Sequence, residues 1–217
     1  MSFTRELAQL SARQFISLLQ KYLRMRGLVI GPDFALGRNR EGNTNTLRTL
    51  GQDMDFSVIV IPPVMINGEV ISSTAIRKAL ASGDMKRVAS LIGHPFSLSG
   101  RVIPGVGRGV DLGFPTANLD IDLGQALPAD GVYATWAYID DKAHQSMTNI
   151  GKRPTFGSSE RAVEVYVLDY HSKLYGRELK IDIVERLRDE KQFDTVEELK
   201  KQIIEDVKQG KAILKQV

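Results

Sequence analysis

At 217 residues, with 42% hydrophobic and 25% charged side chains, the chain suits one or two soluble globular domains. Its net charge of +3 is a mild excess that suits small anionic ligands as well as nucleic acid and selects neither. Cysteine is absent, which removes disulfides, thiolate metal sites and a cysteine nucleophile; no apolar run approaches the roughly 18 residues that cross a bilayer, and the start lacks a secretory apolar core, so a cytoplasmic location is expected.

In chain order, Ser11 and Gln14 make an S-x-x-Q capping box, with Leu10 and Phe15 placed as a hydrophobic staple. Phe15, Leu18, Leu19, Tyr22 and Leu23 form a helical stripe that Gly27 should end. Leu28–Ile30 reads as a short buried strand running into the loop GPDFALG, followed by a helix around Thr44 to Leu50 and a strand from Phe56 to Ile61 stopped by Pro62 and Pro63. Strand, helix, strand in this order predicts part of a parallel α/β sheet. In ISSTAIR, Ser72, Ser73 and Thr74 stand at a helix start with Arg77 one turn along; this is either an anion site or an ordinary hydroxyl cap. The first forty residues carry seven Lys/Arg against two Asp/Glu, which fits an anionic ligand or a solvated helix face. Asp84 caps a short helix through Leu91, and Gly93-His94-Pro95 breaks it, which sets the predicted domain boundary: residues 1–92 and 93–217.

Beyond that break the hydrophobic period becomes two. Ser97 to Ile103, Val132 to Ile139, Ala143 to Ile150, Ala162 to Tyr170 and Leu179 to Leu187 read as strands, with turns at Asp140-Asp141 and Tyr175-Gly176. Strands without intervening helices predict an antiparallel barrel or sandwich, with Trp136 in its core. The chain closes with a helix, Thr195 and Glu198 forming a second capping box and Val196, Leu199, Ile203 and Val207 one face.

From within the first of these strands the chain runs through GRVIPGVGRGVDLGFPTAN, residues 100–118. Gly105, Gly107, Gly109 and Gly113 free the backbone to approach a ligand, Arg101 and Arg108 add positive charge, and Pro115, Thr116 and Asn118 follow. Glycines alone make an ordinary hairpin loop; with cations and hard oxygen donors the stretch suits a phosphate chain carrying Mg²⁺. It is neither a dinucleotide fingerprint, since Val110 stands where glycine is needed, nor a Walker A loop, since no GK[ST] occurs. Glu164 alternates with Val163 and Val165, so periodicity alone points it at water or at a cavity. Leu187 to Phe193, LRDEKQF, taken alone is a charged strand-to-helix connection.

The glycine stretch resembles the signature of riboflavin kinases, which runs G-x-V-x-x-G, a Gly/Arg-rich linker, then LGFPTAN; LPADGVY and NIGKRPT match further landmarks of that family. The resemblance implies a Greek-key β-barrel with a C-terminal helix, in which Gly105, Gly107, Arg108, Gly109, Gly113, Pro115, Thr116 and Asn118 hold ATP, and Thr116 and Asn118 its Mg²⁺. It implies Glu164 as the catalytic base, and Arg188, Lys191 and Phe193 as flavin contacts in a closing flap. Val110 replaces a frequent arginine, and Tyr166 the usual histidine. GPDFALG and ISSTAIR resemble the second half of the FMN adenylyltransferase module of bifunctional FAD synthetases, with Ser72, Ser73, Thr74 and Arg77 as a residual phosphate site. None of His94, His144 and His171 lies in that module's HxGH-type motif. The resemblance therefore implies an α/β remnant, partial and Rossmann-like, ahead of a barrel that converts riboflavin to FMN without forming FAD. The expected partners are riboflavin and ATP, with no nucleic acid and no membrane. The remnant's open sheet edge allows self-association. The alternative is a non-catalytic flavin- or nucleotide-binding module that completes a separate N-terminal half.

Overall fold

Residues 11–14 form the local signal that starts the first long helix. The computed structural model describes residues 4–105, 109, 112–122, 124–152 and 161–216. Ser11 Oγ accepts from the Gln14 N–H, and the Gln14 side chain reaches back to the Ser11 N–H, so the capping box opens α1 (Ala12–Leu23). Its buried face centres on Ala12 and Ile16, whereas Tyr22 and Leu23 of the expected stripe are exposed. The helix ends at Arg24, in the left-handed region at φ 51°, rather than at Gly27. Gly27 instead opens β1 (Gly27–Ile30), where a Cβ would run into the Ser57 hydroxyl across the sheet. Capped by Asn43, α2 (Thr44–Asp53) leads to β2 (Ser57–Val60), which pairs with β1 in parallel as expected. Ala12, Ile16, Ile30, Leu47, Leu50 and Phe56 fill the core of this unit.

The chain forms two compact units, Met1–Val70 and Ile71–Val217. The reason is packing: α3 (Ser73–Ser82) and α4 (Met85–Ile92) bury Ala79, Leu80, Met85 and Val88 in the same core as the strands beyond. Asp84 caps α4 and Gly93, at φ 85°, ends it, so the break at Gly93-His94-Pro95 is a turn inside the second unit.

Six strands close that unit into an antiparallel barrel: β3 (Phe96–Ile103), β4 (Ala117–Asp120), β5 (Gly131–Ile139), β6 (Lys142–Lys152), β7 (Arg161–Val167) and β8 (Glu178–Arg188). Their order around the barrel is β6-β7-β4-β3-β8-β5, so the run β8-β5-β6-β7 is a Greek key. Closure leaves the barrel without a free edge. Asp140 and Asp141 both take positive φ, 50° and 61°, and make the tight β5–β6 turn. Alternate residues such as Leu98, Leu119, Tyr133, Ile150, Val163, Val165 and Ile181 fill the interior. Register shifts between Ile183 and Glu185 and between Arg186 and Arg188 kink β8 where it meets β5.

Thr195 caps α5 (Val196–Leu214), which covers the outside of the barrel. Its buried line is Asp206, Gly210 and Leu214, with Val207 packed beside them; Val196, placed on that face by the sequence, is half exposed. Trp136 packs in this outer cluster, under the helix, and not in the barrel interior.

Candidate active site

Cross-strand pairs in an antiparallel barrel share a face, and this rule assembles the site. Asn118 on β4 lies opposite Glu164 on β7, Asn149 on β6 lies opposite Glu164 from the other side, and Val132 on β5 follows Asn149. Val163 and Val165 point into the barrel, so Glu164 faces outward, half-buried rather than in open water. Two residues along each strand the next row is Ala134, Met147 and Tyr166, and this one lies under α5. Gly210 sets how closely the helix approaches, because a Cβ there would meet the Met147 thioether. The helix therefore walls one side of the row that carries Asn118, Glu164 and Asn149.

Gly105 and Phe114 of the glycine stretch bound the other. Gly105 rests against the Asn118 carboxamide, in space that any Cβ would fill. The Phe114 N–H donates to the Gly109 carbonyl (2.8 Å), Gly113 turns the chain at φ 85°, and the Phe114 ring meets Tyr166 edge-on with centroids 5.6 Å apart. Tyr166 thus ties this stretch to the strand of Glu164 with an aromatic contact. Gly107, Arg108 and Val110 lie outside the described residues. Pro115 is exposed, Thr116 half-buried and Asn118 buried. A hydroxyl and a carboxamide oxygen are hard donors of the kind Mg²⁺ takes, yet two neutral oxygens are too few to hold the ion alone. Among the described residues no group of three His, Asp or Glu is arranged for a metal. This donor set fits a cation that brings phosphate oxygens with it.

On the flap side the structure places the three expected flavin residues unequally. Lys191 is exposed and Phe193 half-buried. The Arg188 guanidinium lies 5.8 Å from the Phe193 ring, but its donors are directed to Asp206 of α5. Glu190, within LRDEKQF but given no role by the sequence, fills the space above Gly151, and its Oε1 accepts from Asn149 Nδ2 at 3.4 Å. A cavity of about 550 Å³ opens beside Glu190, lined also by Pro128, Asp130, Arg161, Arg186 and Asp189. Arg161 and Arg186 both pair with acids there, Asp130 at 2.6 Å and Asp189 at 2.6 Å. Asn149 sits in the NIGKRPT landmark, the one signal that pointed near it; for Asp206 the heptad-like face of the helix gave none. In ISSTAIR, Ser72 Oγ accepts from the Ala75 N–H (3.2 Å) and caps α3, while Ser73, Thr74 and Arg77 are exposed.

Comparison with known proteins finds two families. Residues 92–214 match the riboflavin kinase family and residues 1–75 the FAD synthetase family. A bifunctional riboflavin kinase/FMN adenylyltransferase of Escherichia coli K12 is 40% identical over 206 residues, covering 94% of this chain and 66% of its own length. The protein of the same description from Haemophilus influenzae is 35% identical over 212 residues, covering 97% and 68%. The chain thus spans about two thirds of the length of these relatives. A crystal structure from Streptococcus pneumoniae, described as a macrolide-efflux protein, superposes with a TM-score of 0.83 at 33% identity over 94% of this chain and 66% of that one. No helix among the described residues is long and apolar enough to cross a membrane.

Proposed function

The chain belongs to the riboflavin kinase family, and we propose that it transfers the γ-phosphate of ATP to the 5′-hydroxyl of riboflavin, giving FMN and ADP. The observation that carries this reading is the register pair Asn118–Glu164, which sets a hard oxygen donor and a carboxylate side by side on one face. Phosphoryl transfer to an alcohol needs a positioned nucleotide and a base for the hydroxyl proton. In this reading Gly105, Gly107, Arg108, Gly109, Gly113 and Pro115 would hold the ATP phosphates. Thr116 and Asn118 would hold Mg²⁺, which when bound neutralises charge on the transferred group. Glu164 accepts the proton of the ribityl hydroxyl as the O–P bond forms, and the β–γ bridging oxygen leaves with ADP. Lys191 and Phe193 close over the flavin, the ring offering an apolar face.

FMN is the end product in this reading. The Ser72 hydroxyl oxygen is engaged in a helix cap, which leaves Ser73, Thr74 and Arg77 of ISSTAIR to hold an ATP α-phosphate for adenylyl transfer. Among the described residues the β1–β2 sheet keeps both outer edges unpaired, and with Val29 and Ile59 exposed on it this supports self-association. The test is one incubation of pure protein with riboflavin, ATP and Mg²⁺, the flavins being separated chromatographically. FMN with equimolar ADP is expected; riboflavin bound but unchanged defeats the kinase reading, and sustained FAD from added FMN defeats the end-product reading.

A further inference from the structure

Asp206 stands near the middle of α5, on the line that packs against the barrel, where an apolar side chain would serve the helix equally well. It is 4% exposed. Its carboxylate accepts from Arg188 Nε (2.9 and 3.0 Å), from Arg188 Nη2 (2.8 Å) and from Gln202 Nε2 (2.9 Å). Arg188 is the last residue of β8, and the flap follows it directly. Its Nη1 donates to the Asp189 carbonyl at 2.9 Å, and its guanidinium lies against Phe193. The next two flap residues are also held: the Asp189 carboxylate on Arg186 (2.6 Å), and Glu190 above Gly151 beside Asn149, the register partner of Glu164. One continuous set of contacts therefore runs from the C-terminal helix through the start of the flap to the row that carries Glu164.

We infer that Asp206 and Arg188 are a positioning pair that sets the flap segment 189–193 over the Glu164 face. Arg188 thereby acts on the flavin through the flap and not as a direct ligand. The chemistry supports this division of labour. Nε, Nη1 and Nη2 of Arg188 each already donate within the protein, and a planar guanidinium gripped at two edges cannot rotate toward a ligand without releasing the helix. A buried ion pair is a poor device for stability alone, since apolar residues of similar volume hold such a contact as well or better. What they cannot supply is direction. The fork on a carboxylate fixes the rotation of Arg188, and with it the path of the chain at Asp189. The inference rests on the reading of the Glu164 face as the place of phosphoryl transfer.

The test compares wild type with Asp206→Asn, Arg188→Lys and the double variant Arg188→Met/Asp206→Leu. Three readouts are taken: thermal unfolding, amide exchange across residues 189–195, and steady-state kinetics with each substrate varied. The double variant is expected to unfold near the wild-type temperature, to exchange faster in 189–195 but not in β5, and to lose up to about 10²-fold in kcat/KM for riboflavin with the KM for ATP unchanged. Arg188→Lys, which keeps the charge and loses the fork, should show the same pattern in smaller degree. Wild-type exchange in the flap together with wild-type riboflavin kinetics in the folded double variant overturns the inference. If that variant does not fold, the isosteric Asp206→Asn is judged by the same two readouts. If wild type itself forms no FMN, the kinase reading has failed, and exchange in 189–195 still decides whether the pair holds the flap.

Discussion

A general base acts only within hydrogen-bond reach of the proton it takes, and Glu164, the proposed base, lies in register between Asn118 and Asn149 on neighbouring strands. Replacing it with Gln keeps the shape and the strand and removes the base. Turnover is expected to fall about 10²–10⁴-fold, while flavin binding, followed by fluorescence quenching, survives. Turnover at the wild-type level would remove Glu164 from the mechanism. In the proposed reading Thr116 and Asn118 act on the nucleotide instead, so Thr116→Ala and Asn118→Ala should each raise the KM for Mg-ATP and leave that for riboflavin in place. Asn118 is also the floor on which Gly105 rests, so its variant is the more demanding of the two for folding. Should both variants unfold with the ATP dependence of the remaining folded fraction unaltered, the PTAN segment is a structural turn and the metal is held elsewhere.

Tyr133 shows how an element depends on one polar group. Its ring is fully buried in the barrel, and its hydroxyl donates to the Ala129 carbonyl at 2.6 Å. Burial pushes the phenol pKa above its ordinary value, and the Asp182 carboxylate raises that of Tyr138 in the same strand. Each phenol therefore ionises first in the unfolded chain, from about pH 10, so stability is constant below that point and falls as the pH rises toward the folded-state values. Tyr133→Phe should cost about 1 kcal/mol near neutrality by leaving the carbonyl without its donor, and should flatten the alkaline loss. Urea unfolding at about pH 8 and about pH 10.5 measures both effects; an unchanged alkaline slope would place the titration elsewhere. Elements whose cause is local were legible in the sequence. The capping box at Ser11 and Gln14 works within four residues, and the long strands alternate because a closed barrel has an inside and an outside. Strand β4 was not legible: Ala117–Asp120 is too short to show a period, and only its pairing with β3 and β7 makes it a strand. The same holds for Asp206, whose burial depends on an arginine 18 residues away, and for the placement of α3 and α4 with the barrel, which no linker composition announces.

At the scale of the whole molecule, the second unit contains every residue of the candidate site that the structure describes, and its barrel has no open edge. The first unit is built differently. Its parallel sheet has two strands, fewer than a sheet usually needs to stand by itself, and each strand keeps one edge unpaired among the described residues. Val29 and Ile59 are 68% and 53% exposed on this sheet, with Ile61 beyond its end at 48%. Apolar side chains at free strand edges favour pairing with another chain, and a second copy presents the same surface. Charge opposes this mildly: the unit carries eight Lys/Arg against six Asp/Glu, with Arg13 and Arg38 paired to Asp53 and Glu41, so like net charge makes two copies repel weakly. The two terms respond oppositely to salt, since screening weakens repulsion while apolar burial persists. Sedimentation is therefore expected to show concentration-dependent self-association that strengthens as salt is raised. Val29→Lys with Ile59→Lys should abolish it and leave FMN formation per chain unchanged, because neither residue belongs to the unit that carries the site. Association that weakens with salt would point to ion pairs between copies, and a chain monomeric at every concentration and salt level would show that these edges are too short to recruit a partner.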